Sequence, residues 1–152
     1  MSLHRDLELR PFTDPGDPDD WRPASDWALV GDPAADMAVI VEQVGVGDAI
    51  PLHRHRIDEV ILDVSGDAEA RVGDARYEVR GGDIVVIPAG SVHGTRNTGR
   101  EVVKLHAVFP RARIDIEYID RNPAPGTEDD PRAAVAWDTR TGTVEPLAEA
   151  GA

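Results

Sequence analysis

Residues Met37 to Val46 read Met-Ala-Val-Ile-Val-Glu-Gln-Val-Gly-Val, a β-branched run closed by Gly45 and Gly47. Such a run predicts a strand. Further short strands are predicted over 52–56, with Pro51 at the start, and over 59–64, closed by Ser65-Gly66. Segments 69–72 and 76–79 flank Gly73-Asp74-Ala75 and read as a hairpin. Segment 83–87, stopped by Pro88-Ala89-Gly90, is another, and 102–109 and 113–119 supply two more. Residues 3–12 alternate imperfectly and fit an edge strand, while 133–137 is either a last strand or a dimer contact. Helical periodicity is almost absent. Eight or so short strands punctuated by glycine turns imply an all-β sandwich or barrel.

The flanks differ. Thr13-Asp14-Pro15-Gly16-Asp17-Pro18-Asp19-Asp20 is turn material that cannot sustain a ladder. Trp21 and Trp27, set in a polar context, are expected to anchor this arm onto the body or a second subunit. After Asn122 the chain returns to Pro, Gly, Thr, Glu and Asp, and from Glu145 it is expected to fray. The chain therefore divides into an N-terminal arm (1–36), a β-barrel (37–119) and a C-terminal arm (120–152). At 152 residues these form one domain.

Charge narrows the partners. With 16 basic against 29 acidic residues, the net charge of −13 repels nucleic-acid phosphates and anionic membranes. The N-terminus lacks the apolar run of a signal peptide, so a soluble cytoplasmic protein is expected. There is no cysteine, which removes disulfides, thiolate sites and thiol nucleophiles together. Any metal must be held by imidazole and carboxylate, which suits iron, manganese, nickel, copper or zinc.

His53 and His55 are two apart in a predicted strand, so their rings project from one face. Glu59 follows four residues later across a bend, and His93 lies three past Gly90 at the end of a different strand. Three neutral nitrogen donors and one carboxylate can hold a divalent metal and leave positions open for a ligand. Taken alone, a His-x-His pair is weak, since most such pairs are surface or partly buried histidines. Pro-x-Gly beside a histidine is chiefly turn chemistry.

The joint spacing carries more. Gly47, five residues, His53, one, His55, three, Glu59, six, Gly66 forms one block. Gly82, five residues, Pro88, one, Gly90, two, His93, three, Asn97 forms the second. This pattern resembles both signature motifs of the cupin superfamily, with every fixed position filled, in the style of compact quercetin-dioxygenase-like members. The resemblance implies a conical β-barrel holding one divalent transition metal through His53, His55, Glu59 and His93. It also implies a small-molecule ligand and a homodimer. Cupins include dioxygenases, isomerases, decarboxylases and non-catalytic binding proteins, so the reaction stays open: a metal-dependent oxygenase leads, with Glu59 as ligand and base. The competitors are a non-redox isomerase, cyclase or decarboxylase and a ligand-binding sensor.

Gly47 and Gly66 are expected to end strands, Gly82 and Gly90 to permit turns, and Asn97 to fix a loop through backbone hydrogen bonds. His106 is the second catalytic candidate. It shares a strand face with Lys104, Val102 and Val108, against Val103, Leu105, Ala107 and Phe109 on the other. With the polar face inward, His106 is a base or donor to substrate; with the apolar face inward it is solvated or at a subunit contact, the favoured alternative. Glu42 and Gln43 pose the same choice, one of the two facing inward, while Ile61 and Asp63 follow Glu59 at even spacing. Arg54 and Arg56 read as surface salt-bridging groups, and His4 as incidental. The cavity lining is expected to be mostly Val, Ile, Ala and Leu with no basic cluster, which suits a partly apolar substrate better than a phosphosugar.

Overall fold

The structure is a computed structural model that describes residues 1–11, 25–120, 124–130 and 134–147. Among these there is no helix, and thirteen strands form two antiparallel sheets. The first sheet contains β1 (Arg10–Pro11), β2 (Asp26–Gly31), β3 (Ala38–Val44), β10 (Val103–Phe109), β5 (Glu59–Ser65) and β8 (Ile84–Ile87), in that spatial order. The second runs β13 (Thr143–Pro146), β12 (Ala134–Asp138), β11 (Arg113–Tyr118), β4 (Ala49–Arg54), β9 (His93–Asn97), β6 (Asp67–Val72) and β7 (Ala75–Arg80). No ladder joins the two sheets. The expected all-β, jelly-roll-like cupin barrel is thus present as two facing sheets, in which side chains rather than hydrogen bonds close the interior.

The β-branched segments became strands as expected, and the Gly73-Asp74 turn joins β6 to β7 with Val72 paired to Ala75. Three strands were not legible. β2 begins and ends in Asp and Gly, and reads as part of an arm. β9, His-Gly-Thr-Arg-Asn, has no strand composition and is held by neighbours on both sides, β4 and β6. β13 lies where fraying was expected to begin. The edge strand expected over 3–12 shrinks to Arg10–Pro11. Pro51 lies inside β4 rather than at its start, where the β4–β9 register shifts between Ile50 and His53. A bulge is the place a sheet accepts proline. Trp21 lies outside the described residues; Trp27 packs on Trp137, with ring centroids 5.9 Å apart. The described part of the N-terminal arm thus extends the first sheet through β2, and that of the C-terminal arm the second through β12 and β13.

Alternation decides what each strand buries. Val103, Leu105, Ala107 and Phe109 of β10 point inward, as do Ala38, Ile40 and Val44 of β3. Burying a side chain the size of Leu105 or Phe109 contributes about 1.5–3 kcal/mol. One apolar cluster, around Val44, Ile61, Leu105 and Val79, fills one end of the sandwich. The other, around Ile40, Phe109, Ile116, Tyr118 and Trp137, surrounds the histidines.

The outer face of the first sheet is also apolar. Register places Ile84, Leu62, His106, Val41 and Ala28 in one row across five strands. Val86, Val60, Val108, Val39 and Val30 form the next row. Ile84 and Val86 are 64% and 65% exposed.

Candidate metal centre

The bend after β4 and the turn before β9 are clipped together. Gly90 N–H donates to the His55 carbonyl at 2.7 Å, and Ala89 N–H donates to Asp58 Oδ1 at 2.8 Å. Gly90 has φ +81°, in the left-handed region, so a side chain here would strain the turn. His53 and His93 are direct cross-strand neighbours on β4 and β9, with ring centroids 4.2 Å apart. His55 follows β4, and Glu59 opens β5 on the facing sheet. One nitrogen or oxygen from each of the four residues lies within 4.8 Å of the others, and all four residues are buried.

Each imidazole is oriented by a backbone carbonyl. His53 Nδ1 donates to Pro51 O at 2.6 Å, His93 Nδ1 to Ser91 O at 2.9 Å, and His55 Nδ1 to Asp115 O. With Nδ1–H engaged, Nε2 is left as the lone-pair nitrogen facing the centre. The Asp115 carboxylate also accepts the Arg56 N–H at 3.0 and 2.9 Å through its two oxygens, fixing the bend. Phe109 meets His55 edge-on at 5.0 Å, and Tyr118 lies 5.8 Å from His53.

The donor atoms fit a cation. His93 Nε2 lies 2.8 Å from Glu59 Oε2, and His55 Nε2 lies 3.3 Å from the same oxygen. Yet His93 Nε2 and Glu59 Oε2 are buried without a hydrogen-bond partner. Two orphaned acceptors converging on one point are what a divalent ion would satisfy. Burial, with the fields of His93 and His55, holds His53 well below the usual histidine range, hence neutral. Burial opposes ionisation of Glu59, but the neighbouring His55 and His93 imidazoles overcome it and keep the carboxylate far below its ordinary value. Burial likewise opposes protonation of His55, and Glu59 overrides it upward.

The centre opens on a small cavity of about 30 Å³. Its walls include Ile40, Ile61, Ala107 and Ile116, as an apolar lining requires, but no Val or Leu. Trp27, Phe109, Tyr118 and Trp137 were not anticipated; Phe109 was legible from its shared phase with Leu105 and Ala107. Among the described residues, no lysine or arginine lines it.

Other candidates separate by strand phase. Glu42 faces the cavity, and Ser25 Oγ donates to its Oε1 at 3.1 Å. Gln43 faces away with Lys104, its cross-strand neighbour. The structure does not bring His106 to the centre: it lies half-buried on the outer face, between buried Leu105 and Ala107. Asp63 points inward as its phase predicts, but at the opposite end of the sandwich, where burial and the neighbouring Asp83 raise it to about 6. Arg54 is a surface group that forms a two-pronged pair with Glu117. Asn97 Nδ2 donates to Val44 O and Glu101 O, and its Oδ1 accepts Gly99 N–H, which fixes the loop after β9.

A family profile described as "Cupin domain" matches residues 40–109. No curated protein matches the chain. Among solved structures, a sugar phosphate isomerase of a cupin superfamily from Silicibacter pomeroyi is similar at TM-score 0.67 and 19% identity, over 97% of this chain and 91% of that one. The cupin domain of Schizosaccharomyces pombe Cnp3 aligns at TM-score 0.58 and 15% identity, over 70% of this chain and 69% of the other. Lactobacillus farciminis oxalate decarboxylase, in a formate complex, gives 0.56 and 22% over 68% of this chain, which spans 31% of that longer protein. These likenesses establish the fold, and the profile match spans both motif blocks from His53 to Asn97. Residues 40–109 match a cupin domain, and the structural likenesses agree on that fold.

Proposed function

We propose that this protein is a metal-dependent oxygenase acting on a small, partly apolar organic substrate. The observation that carries this reading is the cavity itself. Three imidazoles and one carboxylate converge, His93 and Glu59 with unsatisfied atoms, and the described walls around them are mostly aromatic and aliphatic with no lysine or arginine. His53, His55, Glu59 and His93 would hold one iron, manganese, nickel, copper or zinc ion, which supplies an open position for substrate or O₂. The lack of a basic group disfavours a sugar phosphate, so the isomerase similarity is not extended to this chain's substrate.

A second reading, non-redox proton transfer as in an isomerase or decarboxylase, is favoured by the other carboxyl in the cavity, Glu42. Metal analysis of protein from its native host, followed by oxygen-electrode measurements with candidate substrates, separates the two. A redox-active metal with substrate-dependent oxygen uptake supports the oxygenase. Tightly held zinc without oxygen uptake contradicts it.

We further infer a cytoplasmic homodimer joined through the outer face of the first sheet. The molecule carries −13, so two copies repel wherever carboxylates face each other. The two apolar rows bear only His106 as a titratable group and offer a contact without that repulsion.

A further inference from the structure

Glu42 interrupts an otherwise apolar inward face. On β3 the inward positions are Ala38, Ile40, Glu42 and Val44, and register sets Glu42 between Trp27 of β2 and Leu105 of β10. Burying a carboxyl among such neighbours is costly unless it is bonded or used. Its Oε1 accepts from Ser25, which is itself 7% exposed, and among the described residues no other group hydrogen-bonds it. Glu42 lines the metal cavity yet stands outside the four-residue set.

The surroundings define what Glu42 meets. Facing the cavity with it are Glu59 from β5, His53 and His55 from β4 and its bend, His93 from β9 and Tyr118 from β11. Lys104 and His106 of β10 face outward and among the described residues no lysine or arginine lines the cavity, so His55 is left to offset the second carboxylate. An anionic ligand would therefore meet repulsion from Glu42, whereas a neutral ligand with an O–H group meets an acceptor. Burial first, and the charge of Glu59 second, raise Glu42 to about 7, against the lowering effect of Ser25. A carboxyl in that range can take up and return a proton near neutral pH.

We propose that Glu42 is the proton acceptor of this site and that the ligand class it selects is an uncharged hydroxyl-bearing molecule. The step is a simple transfer: the ligand O–H bond breaks, its proton goes to the Glu42 carboxylate, and the electron pair stays on the ligand oxygen. Net charge is conserved, since one carboxylate becomes neutral as one oxyanion forms. The proposal rests on the metal reading above, because the ion held by the four residues supplies the compensating positive charge.

The test uses the full chain loaded with cobalt(II), with acetohydroxamic acid as the neutral hydroxyl probe and azide as the anionic one. Binding is followed by visible spectra and by calorimetry at pH 8 in two buffers of different ionisation heat. In the wild type, the probe's proton passes to Glu42, where its hydrogen bond to the new oxyanion holds it at pH 8, and little reaches the buffer; Glu42→Gln releases about one proton more per ligand. Azide affinity rises about tenfold in Glu42→Gln, which no longer repels it. Glu42→Asp, which keeps a carboxylate, returns the wild-type proton count. Equal proton counts in wild type and Glu42→Gln, or no hydroxamate binding to the cobalt protein, overturn the proposal. Failure of cobalt to bind stoichiometrically instead overturns the metal reading and this proposal with it.

Discussion

His93 Nε2 and Glu59 Oε2 approach to 2.8 Å across the two sheets of the sandwich, both buried and neither hydrogen-bonded. Glu59 opens β5 of the first sheet, and His93 opens β9 of the second. The contact therefore closes the interior at a point where no ladder does, and a divalent cation would convert two unsatisfied acceptors into a bond between sheets. Metal should accordingly stabilise the fold as well as any reaction.

The first prediction concerns pH. Glu42 is raised from its ordinary value to about 7 by burial and by Glu59, so the unfolded chain gives up its proton first as pH rises. Stability is then lost between about pH 4.5 and 7, up to about 3 kcal/mol in the metal-free protein. Glu42→Gln should remove that loss: its melting temperature should match the wild type near pH 5 and exceed it at pH 8. A difference that does not change between these pH values would contradict the raised value.

Two glycines separate strain from crowding. Gly66 has φ +91°, and an added Cβ would stand 3.0 Å from the Val103 Cα; Gly82 has φ +98° with nothing within 4 Å. Gly82→Ala should cost about 1–2 kcal/mol for the left-handed backbone alone. Gly66→Ala should cost about 2–4 kcal/mol, because overpacking adds to it. Urea unfolding of both variants checks the order, and equal losses would refute the crowding at Val103.

Much of this was legible, for reasons that differ by residue. The buried cluster of His53, His55, Glu59 and His93 could be read because their spacing, with the glycines around them, resembles the cupin motifs. Strand β9 could not, because its polar sequence is extended only by being paired on both sides. The phase of β10 was ambiguous: Val102 and Val108 make the His106 face nearly as apolar as its opposite. Packing of Phe109 against His55 decided it. The aromatic walls come from strands distant in sequence, β2, β10, β11 and β12, whose convergence no local pattern encodes.

The outer face gives a prediction about assembly. Ile84 and Val86 are exposed on the edge strand β8, at the end of the apolar rows. Ile84→Asp should convert the proposed dimer to monomer in analytical ultracentrifugation while leaving metal content unchanged. A wild type that is monomeric at high micromolar concentration would contradict that use of the face.

The most direct test of the central claim is elemental analysis of purified protein, wild type beside a His53→Ala, His93→Ala double variant. The account predicts one transition-metal ion per wild-type chain and essentially none in the variant. Full retention of metal by the variant, or a wild type that binds none when loaded with iron, manganese, nickel, copper or zinc, would contradict it.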